Sequence, residues 1–201
     1  MSKLRFRDVN GKDIDAQPWL AIWSQRYPEN DYSGYEQLIA KHEQFSPQDI
    51  EQIGRWKDAA NTATKWKPNT ASVAYSVWMQ AAAELPTCPS NDAGIAEFLT
   101  NWSERSYIDQ FQMKAVTKRF GLSRASTLLH FLSGGRYPIF DSRVRRALAR
   151  MLGTTVPNSV EWYLQSYCPV VDQIAIECGT SDLRLVDKAL FSYGGKTEMW
   201  E

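Results

Sequence analysis

Apolar residues recur along this chain at three- and four-residue spacing, and no stretch alternates in the manner of a half-buried strand, so the pattern predicts helices almost throughout. Ser46-Pro47-Gln48-Asp49 offers a capping hydroxyl, a proline at the first helical position and an acid at the third. It opens a helix carrying Ile50, Ile53, Trp56 and Lys57. Asn69 and Thr70 introduce a second helix, Ala71 to Leu85, stopped by Pro86 and Pro89. Asn91 and Asp92 cap a third, with Ile95, Phe98, Leu99 and Trp102 on one face. A short helix is predicted over 112–119, and another from Ser123 to Ser133 that Gly134 and Gly135 end. Pro138 cannot continue a helix and holds Tyr137 extended, after which Val144, Ala147, Leu148, Met151 and Leu152 mark one face of a helix over 142–152. Past Gly153 and a loop over 154–157, a helix is expected from Ser159 to Glu177, broken by Cys178-Gly179-Thr180. Thr180 or Ser181 then caps a last helix with Leu183, Val186, Leu190 and Phe191 apolar. Leu4 to Ser46 is the least regular region, although Trp19, Leu20, Ile22 and Trp23 should pack, and no internal repeat or low-complexity tract is present.

At 201 residues and 43% hydrophobic content, the chain is long enough to bury a core, as one all-helical domain over 1–201 or two closely packed helical lobes. It contains no run of about eighteen apolar residues, and MSKLRFRDVNGKDID lacks the apolar core of a secretory signal. The expectation is a soluble cytoplasmic protein with no membrane partner. Cys88, Cys168 and Cys178 are an odd number without metal spacing and read as free thiols in a reducing compartment.

Charge changes the picture. The whole chain sums to zero, yet between Gln112 and Arg150 nine Lys or Arg face one acid, Asp141, a formal charge of +8. Such a run is an electrostatic footprint for a polyphosphate. Asp141 stands immediately before the 142–152 helix, where a carboxylate accepts backbone N–H bonds and the positive end of the helix dipole favours the anion. Arg143, Arg146 and Arg150 share one stripe of that helix.

These residues carry a resemblance. Gly121-Leu122-Ser123-Arg124-Ala125, an apolar helix, then Pro138-Ile139-Phe140-Asp141 and a Val-x-Arg helix resemble the catalytic core of the helix-hairpin-helix DNA glycosylases, the superfamily of the oxoguanine and adenine glycosylases. The resemblance implies an all-α, two-lobed helical fold with a hairpin and catalytic-loop core over 112–153, in which a C-terminal helix returns to the N-terminal part. It implies that Asp141 is the catalytic aspartate, that Gly121 is the hairpin glycine nearest the second helix, and that Ser123 occupies the position where bifunctional members keep a Schiff-base lysine. The implied activity is monofunctional hydrolysis of the N-glycosidic bond of a damaged or modified base, in base-excision repair, with double-stranded DNA as partner, no cofactor and, in a bacterium, a nucleoid-associated location. Arg119 stands where the first hairpin glycine is usual, so the hairpin is degenerate, and phosphate contacts would come from Lys118, Arg119, Gly121, Arg124, Arg143 and Arg146. Only Cys168 and Cys178 lie downstream, too few for the four-cysteine iron–sulfur cluster of some relatives.

An extruded base needs a stacking surface and the duplex a wedge, for which Trp66, between Lys65 and Lys67, and Tyr137 are candidates, with Trp56 a third. A helical Trp is more often core. His130, in the apolar run Leu128 to Leu132, reads as a packed histidine, and Gly194-Gly195-Lys196-Thr197 lacks the strand and helix of a nucleotide-binding loop. Two readings stay open: a glycosylase using Asp141, and a catalytically inactive DNA-binding or protein-interaction module in which Asp141 only caps its helix.

Overall fold

The computed structural model describes residues 4–28, 34–58, 73–108 and 117–195. The chain divides into two compact units: a central one, Glu29–Tyr137, and a terminal one built from Met1–Pro28 with Pro138–Glu201. Both are mostly helical.

In the central unit the described helices are α2 (Tyr35–Ala40), α3 (Pro47–Asp58), α4 (Val73–Glu84), α5 (Asp92–Glu104) and α6 (Leu122–Leu132). The cap expected at Ser46 forms: the Ser46 amide and hydroxyl donate to Asp49 Oδ2 at 2.9 and 2.7 Å, and the Asp49 amide donates back to Ser46 Oγ at 3.3 Å. Asn91 caps α5 by accepting from the Gly94 amide at 2.8 Å. Helix α3 packs on α4 and α6, and α5 packs on α6, around Ile50, Ile53, Trp78, Leu99, Phe120, Leu128 and Leu129. Gly54 permits the α3–α4 approach, since a Cβ there would lie 2.3 Å from the Trp78 ring. The Trp78 indole donates to Asp58 Oδ2 at 2.6 Å, so this large buried side chain leaves its one polar atom paired.

The expected helix over 112–119 is corrected in its described part. Thr117–Arg119 is a strand, β2, antiparallel to β1 (Ser106–Ile108), with Thr117 opposite Ile108 and Arg119 opposite Ser106. The pairing runs on as the Phe120 amide donates to Arg105 O at 2.9 Å and the Gly121 amide to Ser103 O at 3.0 Å. The segment leading into α6 is therefore extended at its end, and α6 starts at Leu122 with Gly121 (φ +79°) as its N-cap.

The terminal unit contains α1 (Ala16–Ser24), α7 (Ser142–Leu152), α8 (Val160–Trp162), a π turn (Tyr163–Tyr167), α9 (Cys168–Cys178) and α10 (Leu183–Tyr193). Helix α10 packs on α1, α7 and α9, so the C-terminal helix does return to the N-terminal segment. Their seam is aromatic: Tyr193 meets Trp19 and Trp23 edge-on at 5.7 and 5.2 Å, and Phe6 meets Trp19 at 5.3 Å. Gly153 and Gly179 end α7 and α9 in the left-handed region. The cap of α10 is Asp182, which accepts from the Arg184 and Leu185 amides at 2.9 and 3.1 Å, rather than Thr180 or Ser181.

The helix expected over 159–177 carries a π turn in its first half. Pro169 has no N–H to return to the preceding turn and its ring crowds the carbonyl four residues back. A widened turn at Tyr163–Tyr167 relieves both, as π turns beside prolines do.

Candidate functional site

Asp141 is placed by two pieces of local chemistry. Behind it, Pro138, Ile139 and Phe140 are buried and irregular. Phe140 is boxed by Trp162 (5.7 Å, stacked), Tyr163 (5.7 Å, edge-on) and Tyr167 (4.8 Å). Ahead of it, α7 begins, and Asp141 Oδ1 accepts both first-turn amides, Arg143 at 2.8 Å and Val144 at 3.0 Å. The residue is half-buried. A carboxylate held through one oxygen by two backbone donors is fixed in direction.

Around Asp141 in the terminal unit lie groups that the charge pattern does not single out. Burial raises the Tyr27 phenol above its ordinary range; the Arg184 guanidinium acts against this, and the charges of Asp187 and Asp141 reinforce it. Asp187 is buried and ion-paired with Arg184, whose guanidinium carbon stands 4.9 Å from the Tyr27 ring centroid, with Lys188 Nζ at 5.7 Å. Phe191 meets Tyr27 edge-on at 5.2 Å and carries the Arg143 guanidinium 4.2 Å from its centroid. Arg184, Asp187, Lys188 and Phe191 follow i, i+3, i+4, i+7 spacing on α10, a stripe that sequence reading could have found and read only as apolar positions. The charges of Asp141 and Asp187 thus both act on the Tyr27 phenol, whose ring also meets Arg184, Lys188 and Phe191.

The predicted contact residues divide between the units. In the terminal unit, Arg143 is half-buried against Phe191, whereas Arg146 Nε donates to Gly194 O at 2.9 Å and Arg150 donates to Tyr193 O and Gly195 O, capping the C-terminal end of α10. Arg145 donates to Val156 O at 3.0 Å. In the central unit, Arg124 pairs with Asp58 at 2.9 Å and donates to Phe120 O at 3.1 Å. The Gly121 amide, which the hairpin reading reserves for phosphate, goes to Ser103 O. Arg119 is exposed, and Ser123 is half-buried with its carbonyl accepting from Ser126 and Thr127. Lys118 belongs to β2, its side chain lying outside the described residues, as do Trp66, Lys65, Lys67 and Lys114 altogether.

Tyr137 is half-buried, with the Arg136 guanidinium 5.2 Å from its ring. Trp56 packs on Phe131 at 5.3 Å and Tyr35 at 5.7 Å. His130 is 2% exposed and hydrogen-bonded at both ring nitrogens, a packed histidine. Among the described residues no group of three or more His, Cys, Asp or Glu could hold a metal ion, and no helix is long and apolar enough to cross a membrane.

A scan against models of protein families, a search of curated proteins and a search of solved structures each found no match to this chain. Its class rests on the fold and the site alone: a mostly helical chain in two units, with a doubly anchored aspartate at a helix N-terminus.

Proposed function

We propose that this chain is a DNA base-excision glycosylase that hydrolyses the N-glycosidic bond of a damaged or modified base, with Asp141 as its essential carboxylate and double-stranded DNA as its substrate. The observation that carries the reading is the Asp141 carboxylate itself, held by two first-turn amides at the end of a buried Pro-Ile-Phe segment. Breaking the bond between base and sugar builds oxocarbenium-like positive charge on the sugar. A fixed anion stabilises that charge more than it stabilises the neutral ground state. The base leaves with the bonding electron pair, water supplies the hydroxyl that completes the sugar, and the proton the water gives up ends on the departed base. Ser123 at the lysine position makes the enzyme monofunctional, without a covalent imine. Within the terminal unit, Arg143, two residues past Asp141, is the cation proposed to meet a phosphate flanking an extruded nucleotide. A two-lobed glycosylase-like fold is supported by the mostly helical content, by the terminal unit being assembled from both chain ends, and by α10 packing on α1.

The test is a panel of duplexes carrying different damaged or modified bases, incubated with the protein and then cleaved at abasic sites. Asp141→Asn retains an oxygen that caps α7 but loses the charge. It is expected to fold and bind duplex as the parent does and to lose base release by at least about a hundredfold, the size of effect seen when one transition-state electrostatic group is removed.

One observation favours a second reading, a DNA-binding or protein-interaction module without chemistry. Asp141 caps α7 in full, and Arg124, Arg145, Arg146 and Arg150 serve partners inside their own units. Under it, Asp141→Asn changes nothing measurable and no duplex in the panel is cut.

A further inference from the structure

The segment leading to Asp141 has no regular hydrogen-bonding ladder, so its backbone groups must find partners elsewhere. Three consecutive carbonyls there each receive an aromatic donor. Within the central unit, His130 Nδ1 donates to Tyr137 O at 2.8 Å, since a carbonyl only accepts, and Nε2 is hydrogen-bonded to the Tyr35 hydroxyl at 2.7 Å. Within the terminal unit, the Tyr163 hydroxyl donates to Pro138 O at 2.9 Å and the Tyr167 hydroxyl to Ile139 O at 2.6 Å.

Both tyrosines are fully buried and both belong to the π turn, four residues apart and therefore on one side of the helix. Burial holds the Tyr167 phenol well above its ordinary range, so it remains a donor across all working pH values. The same two rings wall in Phe140, the neighbour of Asp141. The widened turn thus delivers two hydroxyls and two ring faces to the three residues that precede the aspartate.

We propose that Tyr163 and Tyr167 are positioning residues for Asp141: their hydroxyls hold the Pro138 and Ile139 carbonyls and thereby fix the carboxylate at the N-terminus of α7. The kinetic consequence rests on the glycosylase reading; the structural consequence does not.

Tyr163→Phe, Tyr167→Phe and the double variant remove the hydroxyls and keep the rings around Phe140. The first readout is amide hydrogen exchange. The Arg143 and Val144 amides are first-turn donors with no acceptor in their own helix, so their protection reports on Asp141. In the double variant their exchange is expected to rise roughly five- to tenfold, the population shift that follows from losing a hydrogen bond, while the Ile174 and Ala175 amides of α9 keep the parent rate. Unchanged exchange at 143 and 144 overturns the proposal, and so does equal acceleration along α9, which would mean general loosening.

The second readout is base release. Each single variant is expected to lower kcat about tenfold, with KM and duplex affinity unchanged, and to add no further loss in the Asp141→Asn background. If Asp141→Asn is inactive while Tyr167→Phe and Tyr163→Phe turn over like the parent, the positioning role is refuted and the glycosylase reading stands. If Asp141→Asn is as active as the parent, the glycosylase reading fails, and the exchange measurement decides the positioning role by itself.

Discussion

Replacing Arg146 and Arg150 by alanine separates the two things a basic helix face can do. In the terminal unit these side chains hold carbonyls at and just past the C-terminal end of α10, Arg146 at Gly194 O and Arg150 at Tyr193 O and Gly195 O. Those carbonyls have no acceptor role left inside their own helix, and the negative end of its dipole adds to their attraction for cations. A hydrogen bond from a charged donor contributes about 1.5–3 kcal/mol when buried. Arg146 is exposed and Arg150 half-buried, so after screening each contributes about 1 kcal/mol, and the double variant should lose about 2 kcal/mol. For a chain of this size that lowers Tm by roughly 4–8 °C. Urea titration followed by tryptophan fluorescence measures the loss. Duplex affinity as a function of salt, read by anisotropy, measures the other role, because removing one phosphate-bound cation flattens log K against log salt by about 0.9. The expected result is a clear stability loss with little change in slope. A double variant that unfolds at the parental midpoint while its slope flattens by about two units would refute the structural assignment and return both arginines to the DNA.

Three further outcomes follow from the packing. A Cβ at Gly194 would lie 1.7 Å from Arg143 O and 3.1 Å from Ala147 N, so Gly194→Ala must part α7 from α10 and should cost about 3 kcal/mol; a thermal melt matching the parent's would disprove the close approach. Burial pushes the Asp49 carboxyl up, but the Ser46 hydroxyl and amide and the Lys41 ammonium at 3.0 Å outweigh it and hold the carboxyl below its ordinary value. A depressed folded value means stabilisation that is complete above the unfolded carboxyl value of about 4 and is lost as pH falls through the folded value. Asp49→Asn should therefore flatten the urea midpoint below about pH 4 relative to the parent, and parallel curves for the two proteins would contradict the capping role. Burial pushes the Cys168 thiol up to about 12 and the Cys178 thiol up to about 11, whereas Cys88 is exposed. Iodoacetamide at mildly alkaline pH should modify Cys88 in the native protein and reach the other two only on unfolding, and native labelling of Cys168, seen by peptide mass spectrometry, would count against its burial.

What could be read from the chain and what could not differ in the range of the chemistry involved. The caps at Ser46, Asn91 and Asp141 and the stops at Gly153 and Gly179 each need only the next three or four residues, and each is found where the pattern places it. The π turn is equally local, but its cause is a single proline inside an otherwise regular apolar period, and periodicity averages over it. The β1–β2 pair depends on residues about ten apart that satisfy each other's backbone, which a helix-by-helix reading does not weigh. Asp141 was legible because its motif and its cap coincide. Its surroundings were not, since Tyr27 precedes it by more than a hundred residues and Asp187 and Phe191 follow by more than forty. The basic run shows the same limit in its sharpest form. Charge can be counted along the chain, but whether a guanidinium faces water is decided by its partner: Asp58, 66 residues before Arg124, and Gly194, 48 residues after Arg146. The same count of +8 therefore includes Arg124, Arg145, Arg146 and Arg150, each of which also donates to a partner within its own unit. In the terminal unit, Arg143, half-buried against Phe191 and two residues past Asp141, is then the first cation to test, and Arg143→Ala is expected to weaken the duplex footprint under the glycosylase proposal.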